Sequence, residues 1–549
     1  MVSGGGALMK KFVLGSAALL AVLSSWAMAA DMPVQASAPA AVDPWNGFYV
    51  GVNGGVATGN SPVTEATSLP GQFTPTFASA VYTHAPIGGL FGAQAGVNWH
   101  AAPSWVLGAE ADWQWLGQSE SICSYACLPS STPPALLAIA DRQALDWLAT
   151  FRARLGWESP AGSLWYVTGG AAWARVDHAM TVIGTTGFFP GGGAPYTTAN
   201  ANFAQVVPGW TVGAGIETPL YGRWSLKAEY LFVDLRTTEN DFTVPLDPLA
   251  QAAFPPSTTA VTTSSSSVRD HIFRLGLNYQ LGDPLFPAAA PVAPILTKAP
   301  PVAAATQQWN GFYGGANGGV VVAHDPTLDT TLFAPSSVPF PVVGQDSFTH
   351  STTGGLLGAQ AGYNWRTTPS WVVGVEGDWQ WAHKTDSACV SECLMRTLVG
   401  VPPAIIIPGL PEGLTDDHTL DWFATARGRV GWVAPNDTLL YATGGLALGR
   451  VAETLNLVAN PPFYPPGVSG LASFSHVLLG WTAGAGAEIP LWRDWSIKAE
   501  YLFIDLGKVR DSFTTALDPF QLPATGQTTA TSFSVHEHVA RFGLNYHFN

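Results

Sequence analysis

Residues 145 to 157 alternate in a way that one kind of element explains. Leu145, Trp147, Ala149, Phe151, Ala153, Leu155 and Trp157 fall on one face, and Asp146, Thr150, Arg152, Arg154 and Gly156 on the other, with Leu148 the exception. A period of two belongs to a β-strand, whose successive side chains point to opposite faces. Two further runs behave alike. Trp105, Leu107, Ala109, Ala111, Trp113 and Trp115 oppose Gly108, Glu110, Asp112 and Gln114, and Phe273, Leu275, Leu277, Tyr279 and Leu281 oppose Arg274, Gly276, Asn278 and Gln280. A soluble sandwich also alternates. Runs mostly of ten or more residues, with aromatics at the ends of the apolar face as in Trp105 with Trp115 and Trp147 with Trp157, instead fit tilted strands that cross a bilayer between aromatic girdles.

The rest of the chain agrees. Charged residues make up 11% of it, against about 25% in a soluble domain, so much of the surface is expected to face something other than water. A net charge of -15 argues against nucleic acid as a partner. Met9-Lys10-Lys11, the apolar run Phe12 to Trp26 and Ala27-Met28-Ala29 read as a secretory signal over residues 1–30, with Met1 or Met9 as the start. After it, the apolar stretches are short and broken by Gly, Pro or charge. A barrel, in which every backbone group is paired, is the remaining way through a bilayer.

The sequence is written twice. Trp45-Asn46-Gly47-Phe48-Tyr49 returns at Trp309, Gly92-Ala93-Gln94-Ala95-Gly96 at Gly358, Lys227-Ala228-Glu229-Tyr230-Leu231-Phe232 at Lys498, and Gly276-Leu277-Asn278-Tyr279 at Gly543. The repeat predicts a Pro/Ala-rich segment at 31–44, a first barrel at 45–282, a Pro/Ala-rich linker at 283–308 and a second barrel at 309–549. In the first copy eight strand-like runs lie near 47–57, 88–100, 104–117, 144–158, 164–182, 206–219, 224–238 and 268–282. Short connections at 100–103, 159–162 and 220–222 alternate with long ones at 58–87, 118–143, 183–205 and 239–267, as periplasmic turns alternate with outer loops. The fold class expected is all-β: two tandem eight-stranded antiparallel transmembrane barrels. One sixteen-stranded barrel is the alternative, disfavoured because it would join its halves by a short turn rather than a Pro-rich spacer.

Period two also assigns the lumen. Copy one aims Glu110, Asp112, Asp146, Glu217 and Glu229 inward with Arg152, Arg154, Lys227 and Arg274. Copy two aims Glu376, Asp378, Asp421, Glu488 and Glu500 inward with Arg427, Arg429, Lys498 and Arg541. An eight-stranded barrel is just wide enough for side chains to fill, and near-balanced charges can pair there. A plugged interior follows, against the alternative of charges lining a selective pore.

Cys123 with Cys127 and Cys389 with Cys393 are each spaced C-x3-C in an outer connection, which in an exported chain predicts a local disulfide. A zinc site lacks a neighbouring histidine in sequence, and no metal or cofactor is expected. Gly191-Gly192-Gly193 lacks the Lys of a phosphate loop. Asp416-Asp417-His418 reads as solvated loop, and no enzyme activity is expected. The outer loops, rich in Thr, Ser, Pro and Gly with apolar insertions at Phe188-Phe189 and Ile405-Ile406-Ile407, suit contact with a neighbouring surface.

Trp45-Asn46-Gly47-Phe48-Tyr49-Val50-Gly51, Ala228 to Leu235 and Arg541-Phe542-Gly543-Leu544-Asn545-Tyr546-His547-Phe548 resemble the alphaproteobacterial outer-membrane β-barrel family, related to opacity proteins and to OmpA-type transmembrane domains. That resemblance covers both copies, although members typically carry a single barrel. It implies an outer-membrane location, contact with outer-membrane lipid and lipopolysaccharide, and a terminal aromatic, here Phe548 ahead of Asn549, read by the barrel-assembly machinery. For function it implies envelope integrity or surface interaction through the outer loops, with small-solute passage as a porin the alternative. It names no catalytic residue and no external ligand.

Overall fold

The computed structural model describes residues 45–68, 70, 76–124, 137–160, 162–184, 197–245, 256, 259–282, 309–333, 342–391, 412–459, 469–491, 493–517 and 525–548. The signal, the 31–44 segment, the 283–308 linker, Cys127, Cys393, Asn549, the glycine run at 191–193 and the insertions at 188–189 and 405–407 lie outside these residues.

Copy one contributes β1 (Gly47–Gly59), β2 (Ser61–Ser68), β3 (Thr76–His84), β4 (Ile87–Ala102), β5 (Trp105–Ser124), β6 (Leu137–Glu158), β7 (Leu164–Gly184), β8 (Thr197–Pro219), β9 (Trp224–Leu235), β10 (Thr238–Pro245), β11 (Thr259–Ser266) and β12 (Arg269–Gly282). Copy two contributes β13 (Gly311–Ala323), β14 (Asp325–Phe333), β15 (Val342–His350), β16 (Thr353–Thr368), β17 (Trp371–Ser391), β18 (Glu412–Val433), β19 (Leu439–Ala459), β20 (Ser469–Pro490), β21 (Trp495–Leu517) and β22 (Thr525–Phe548).

Each copy closes on itself. β1 pairs antiparallel with β4 on one side and with β12 on the other, and β5 to β9 complete a ring of eight. β13 likewise lies between β16 and β22, with β17 to β21 completing the second ring. First and last strands of one copy are partners, as in Val50 opposite Tyr279 and Gly314 opposite Tyr546. That pairing excludes the sixteen-stranded alternative.

Outer faces are apolar, with Phe151, Trp115 and Val167 all more than half exposed. The turns at one end are tight. Gly162 and Gly222 take left-handed φ values of 78° and 61°, and in copy two Asp437 does so at 62°, a conformation Asp tolerates better than most residues. At the opposite end the strands run on. β22 has 24 residues and β8 has 23, whereas about ten suffice to cross a bilayer. The expected long loops are therefore partly sheet. β2–β3 and β10–β11 form hairpins, and β11 pairs with β2 to continue the wall outward. Their Thr-, Ser- and Val-rich sequences suit a solvated pleated surface.

The two rings stand side by side in the same sense. Phe273 packs on Tyr501 with ring centroids 4.9 Å apart, and Ile216 packs against Ala487 and Ile489. At the turn end Asn436 Nδ2 donates to Thr218 Oγ1 (2.8 Å), and toward the outer end Ser351 Oγ donates to the Gly59 carbonyl (2.9 Å).

Candidate functional site

The lumen of copy one holds a closed charge network. Arg152, from β6, donates to Asp112 Oδ2 (2.7 Å), to Glu229 Oε1 (3.0 Å) and to Glu110. Arg274, from β12, reaches Glu229 Oε2 (2.7 Å) and Asp112 Oδ2 (2.9 Å), and Lys227 Nζ reaches Glu110 (2.8 Å). Arg154 pairs with Glu217 (2.8 Å) and lies over the Tyr166 ring. Copy two repeats the pattern. Arg427 reaches Asp378 (2.8 Å), Glu500 (2.9 Å) and Glu376. Arg541 reaches Glu500 and Asp378, Lys498 reaches Glu376 (2.8 Å), and Arg429 pairs with Glu488 (3.2 Å). All sixteen side chains are buried.

Asp146 and Asp421 do not join them, which corrects the assignment made from period two. The β5–β6 and β6–β7 ladders slip beside Asp146, and the β18–β19 ladder slips between Leu420 and Trp422. An extra residue at such a bulge reverses which side chains face inward from there on. Asp146 is half exposed on the outside beside Arg175 (3.2 Å), and Asp421 stands beside Arg450 (3.5 Å). Their removal leaves four acids and four bases in each network.

The same bulge turns Leu145 inward. With Leu148, Leu231, Val233 and Ile272 it forms an apolar layer in copy one, matched by Phe423, Leu502, Ile504 and Val539 in copy two. Leu148, the exception in the alternation, belongs to this layer.

At the outer mouth, beyond the span marked by Trp147 and Trp157, a second polar cluster appears that the sequence did not reveal. In copy one His84 Nε2 meets Asp141 Oδ2 (2.9 Å), His178 Nε2 meets Asp141 Oδ1 (2.5 Å), and the Tyr82 hydroxyl donates to Asp141 Oδ2 (2.7 Å). Burial works against a charged His84, but the Asp141 and Glu120 carboxylates outweigh it and push the imidazole up to about 10. Burial and the nearby Asp141 push Glu65 up to about 7. In copy two His350, Asp416 and His418 present ligand atoms all within 4.8 Å of one another. Asp416 and His418 are thus buried in β18 rather than solvated in a loop. The signal that could have found them is period two continued past the bulge: Leu414, Asp416, His418 and Leu420 share the inward face.

Cys123 and Cys389 are each disulfide-bonded, and no described cysteine is free. Phe548 is exposed at the turn end of β22, packed edge-on against Tyr546.

Both copies match the outer membrane protein β-barrel domain family, over residues 17–281 and 289–548. The 31 kDa outer-membrane immunogenic proteins of Brucella melitensis and Brucella suis are each 34% identical over 204 residues, covering 36% of this chain and 68% of theirs. Among solved structures the chain is similar to the outer membrane protein OprG of Pseudomonas aeruginosa, with 13% identity, a TM-score of 0.23, and coverage of 43% of this chain and 97% of that one. It is also similar to a Pseudomonas aeruginosa FadL homologue, with 10% identity, a TM-score of 0.23, and coverage of 92% and 91%. With two self-closed rings of eight and a family match to each, the chain is an integral protein of the outer membrane and belongs to the outer membrane protein β-barrel family as a tandem duplication.

Proposed function

We propose that the outward extensions carry this protein's function, as a structural and surface-interacting component of the envelope, while both lumens stay closed to solutes. The observation that carries this is the filling of each lumen. Four acids and four bases are paired and buried, and the apolar layer lies above them. An ion entering would have to break a compensated network in a medium where an unpaired buried charge costs several kcal/mol. The outer ends supply area instead, with Thr- and Ser-rich hairpins such as β10–β11 standing beyond the bilayer. The Brucella relatives are named as immunogenic, which fits an exposed face. Lipopolysaccharide and outer-membrane lipid are the surroundings this arrangement suits, and Phe548, exposed at the end of the closing strand, suits recognition by the barrel-assembly machinery.

Conductance of refolded full-length protein across a planar lipid bilayer is the test. Silence from protein whose heat-modifiable gel mobility shows it folded is the expected result. Large, stable open steps would overturn the closed lumen and favour small-solute passage.

A further inference from the structure

We propose that the outer mouth of the second barrel binds one divalent transition-metal ion, of the zinc type, through His350 Nε2, His418 Nε2 and an oxygen of Asp416. The contrast between the copies carries it. Strand alignment matches Tyr82 with Phe348, His84 with His350, Glu120 with Asp386, Asp141 with Asp416, Gln143 with His418 and His178 with Glu453. In copy one the central aspartate takes Tyr82 and His84 on Oδ2, and a separate imidazole, His178, stands with Nε2 2.5 Å from Oδ1. In copy two Phe348 removes the phenol. Both imidazoles then bring Nε2 to the same oxygen, Asp416 Oδ2, at 3.2 and 3.3 Å, while Glu453 stands where copy one has His178 and the buried His418 Nε2 has no hydrogen-bond partner.

Those separations suit a shared ion. Ligands about 2.0–2.1 Å from a tetrahedral centre lie roughly 3.3 Å from one another. Imidazole with carboxylate is a donor set that zinc accepts. His350 Nδ1 is held by Asp386 Oδ2 at 3.0 Å, the outer carboxylate that fixes the tautomer of a metal-bound histidine and aims the other nitrogen at the metal. The two rings stack with centroids 3.8 Å apart. Glu453 Oε1 lies 3.7 Å from His418 Nε2, and both of its buried oxygens lack hydrogen bonds, which makes it the candidate fourth ligand. His350 and His418 also line a small cavity with Thr352 and Lys384.

The test is zinc titration of chelator-stripped, refolded full-length protein against a chromophoric competitor. One equivalent per chain is expected. His418→Gln installs the residue type that copy one carries at Gln143. It should abolish that equivalent while heat-modifiable mobility persists, and His84→Asn in copy one should retain it. Asp386→Asn, at a positioning residue, should keep the stoichiometry with affinity lowered about 10–100-fold. Folded wild-type protein that takes up no zinc at micromolar concentration, or His418→Gln that binds as wild type does, overturns the site. Cobalt substitution of the wild type needs no variant. Intense visible bands of four-coordinate cobalt support the site, and weak octahedral bands alone overturn it.

Discussion

Arg152 reaches from β6 across the first lumen to Glu229 on β9, Nη1 to Oε1 3.0 Å, and the duplicated pair, Arg427 and Glu500, repeats the contact at 2.9 Å. A contact reproduced in two copies whose outer connections have diverged marks the part of the barrel that tolerates least change. The reason is electrostatic. Arg152 touches three carboxylates at once, so its loss leaves Glu110, Asp112 and Glu229 to Lys227 and Arg274 and the network one positive charge short.

Arg152→Ala is therefore expected to destabilise barrel one by about 3–5 kcal/mol, the usual cost of removing one member of a buried ion pair. Urea unfolding in lipid vesicles, followed by tryptophan fluorescence, measures it. A loss below about 1 kcal/mol would mean that the lumen is wet enough to solvate the uncompensated negative charge.

The two aspartates of one stretch of wall should behave oppositely. Asp146→Asn, on the outside beside Arg175, should shift stability by no more than about 0.5 kcal/mol. Asp112→Asn, between Arg152 and Arg274, should cost a few kcal/mol in the same assay. Equal effects would contradict the bulge as the device that separates them.

Stability of the first barrel's outer mouth should fall as pH rises from neutral. His84 is held up to about 10 from its ordinary 6.5, so its contribution is complete below about 6.5 and lost as pH passes 10. Glu65, raised to about 7, works in the same direction, its contribution fading between about 4.5 and 7. Asp141, held below its ordinary value by His84 and His178 despite its burial, sets the acid limit near pH 4. The expected change between pH 7 and 10 is of the order of a few kcal/mol, and His84→Asn should abolish its larger part. A direct readout is the His84 imidazole resonance, whose midpoint should lie near 10. A midpoint near 6.5 would remove the prediction.

Period two alone makes the runs at 105–115, 145–157 and 273–281 strands, and the tryptophan pairs Trp105 with Trp115 and Trp147 with Trp157 place the first two in a bilayer. The repeat of Trp45-Asn46-Gly47-Phe48-Tyr49 at Trp309 announces two units before any contact is known. These follow from the sequence because the pleat sends alternate side chains to opposite faces whatever lies beside the strand. The inward charges were legible by the same rule wherever the strand was regular, as at Glu110, Arg152 and Arg274.

The tertiary structure decided three other things. Closure at eight depends on β1 finding β12, and on β13 finding β22, which are long-range hydrogen bonds that no local pattern encodes. The place of Asp146 and Asp421 depends on a bulge, a mismatch between two neighbouring strands, and so on the partner as much as on the residue. His350, Asp416 and His418 meet only because β15 and β18 are brought to the same mouth of a closed ring. Local alternation fixes which way a side chain points, but only ring closure and register fix what it meets there.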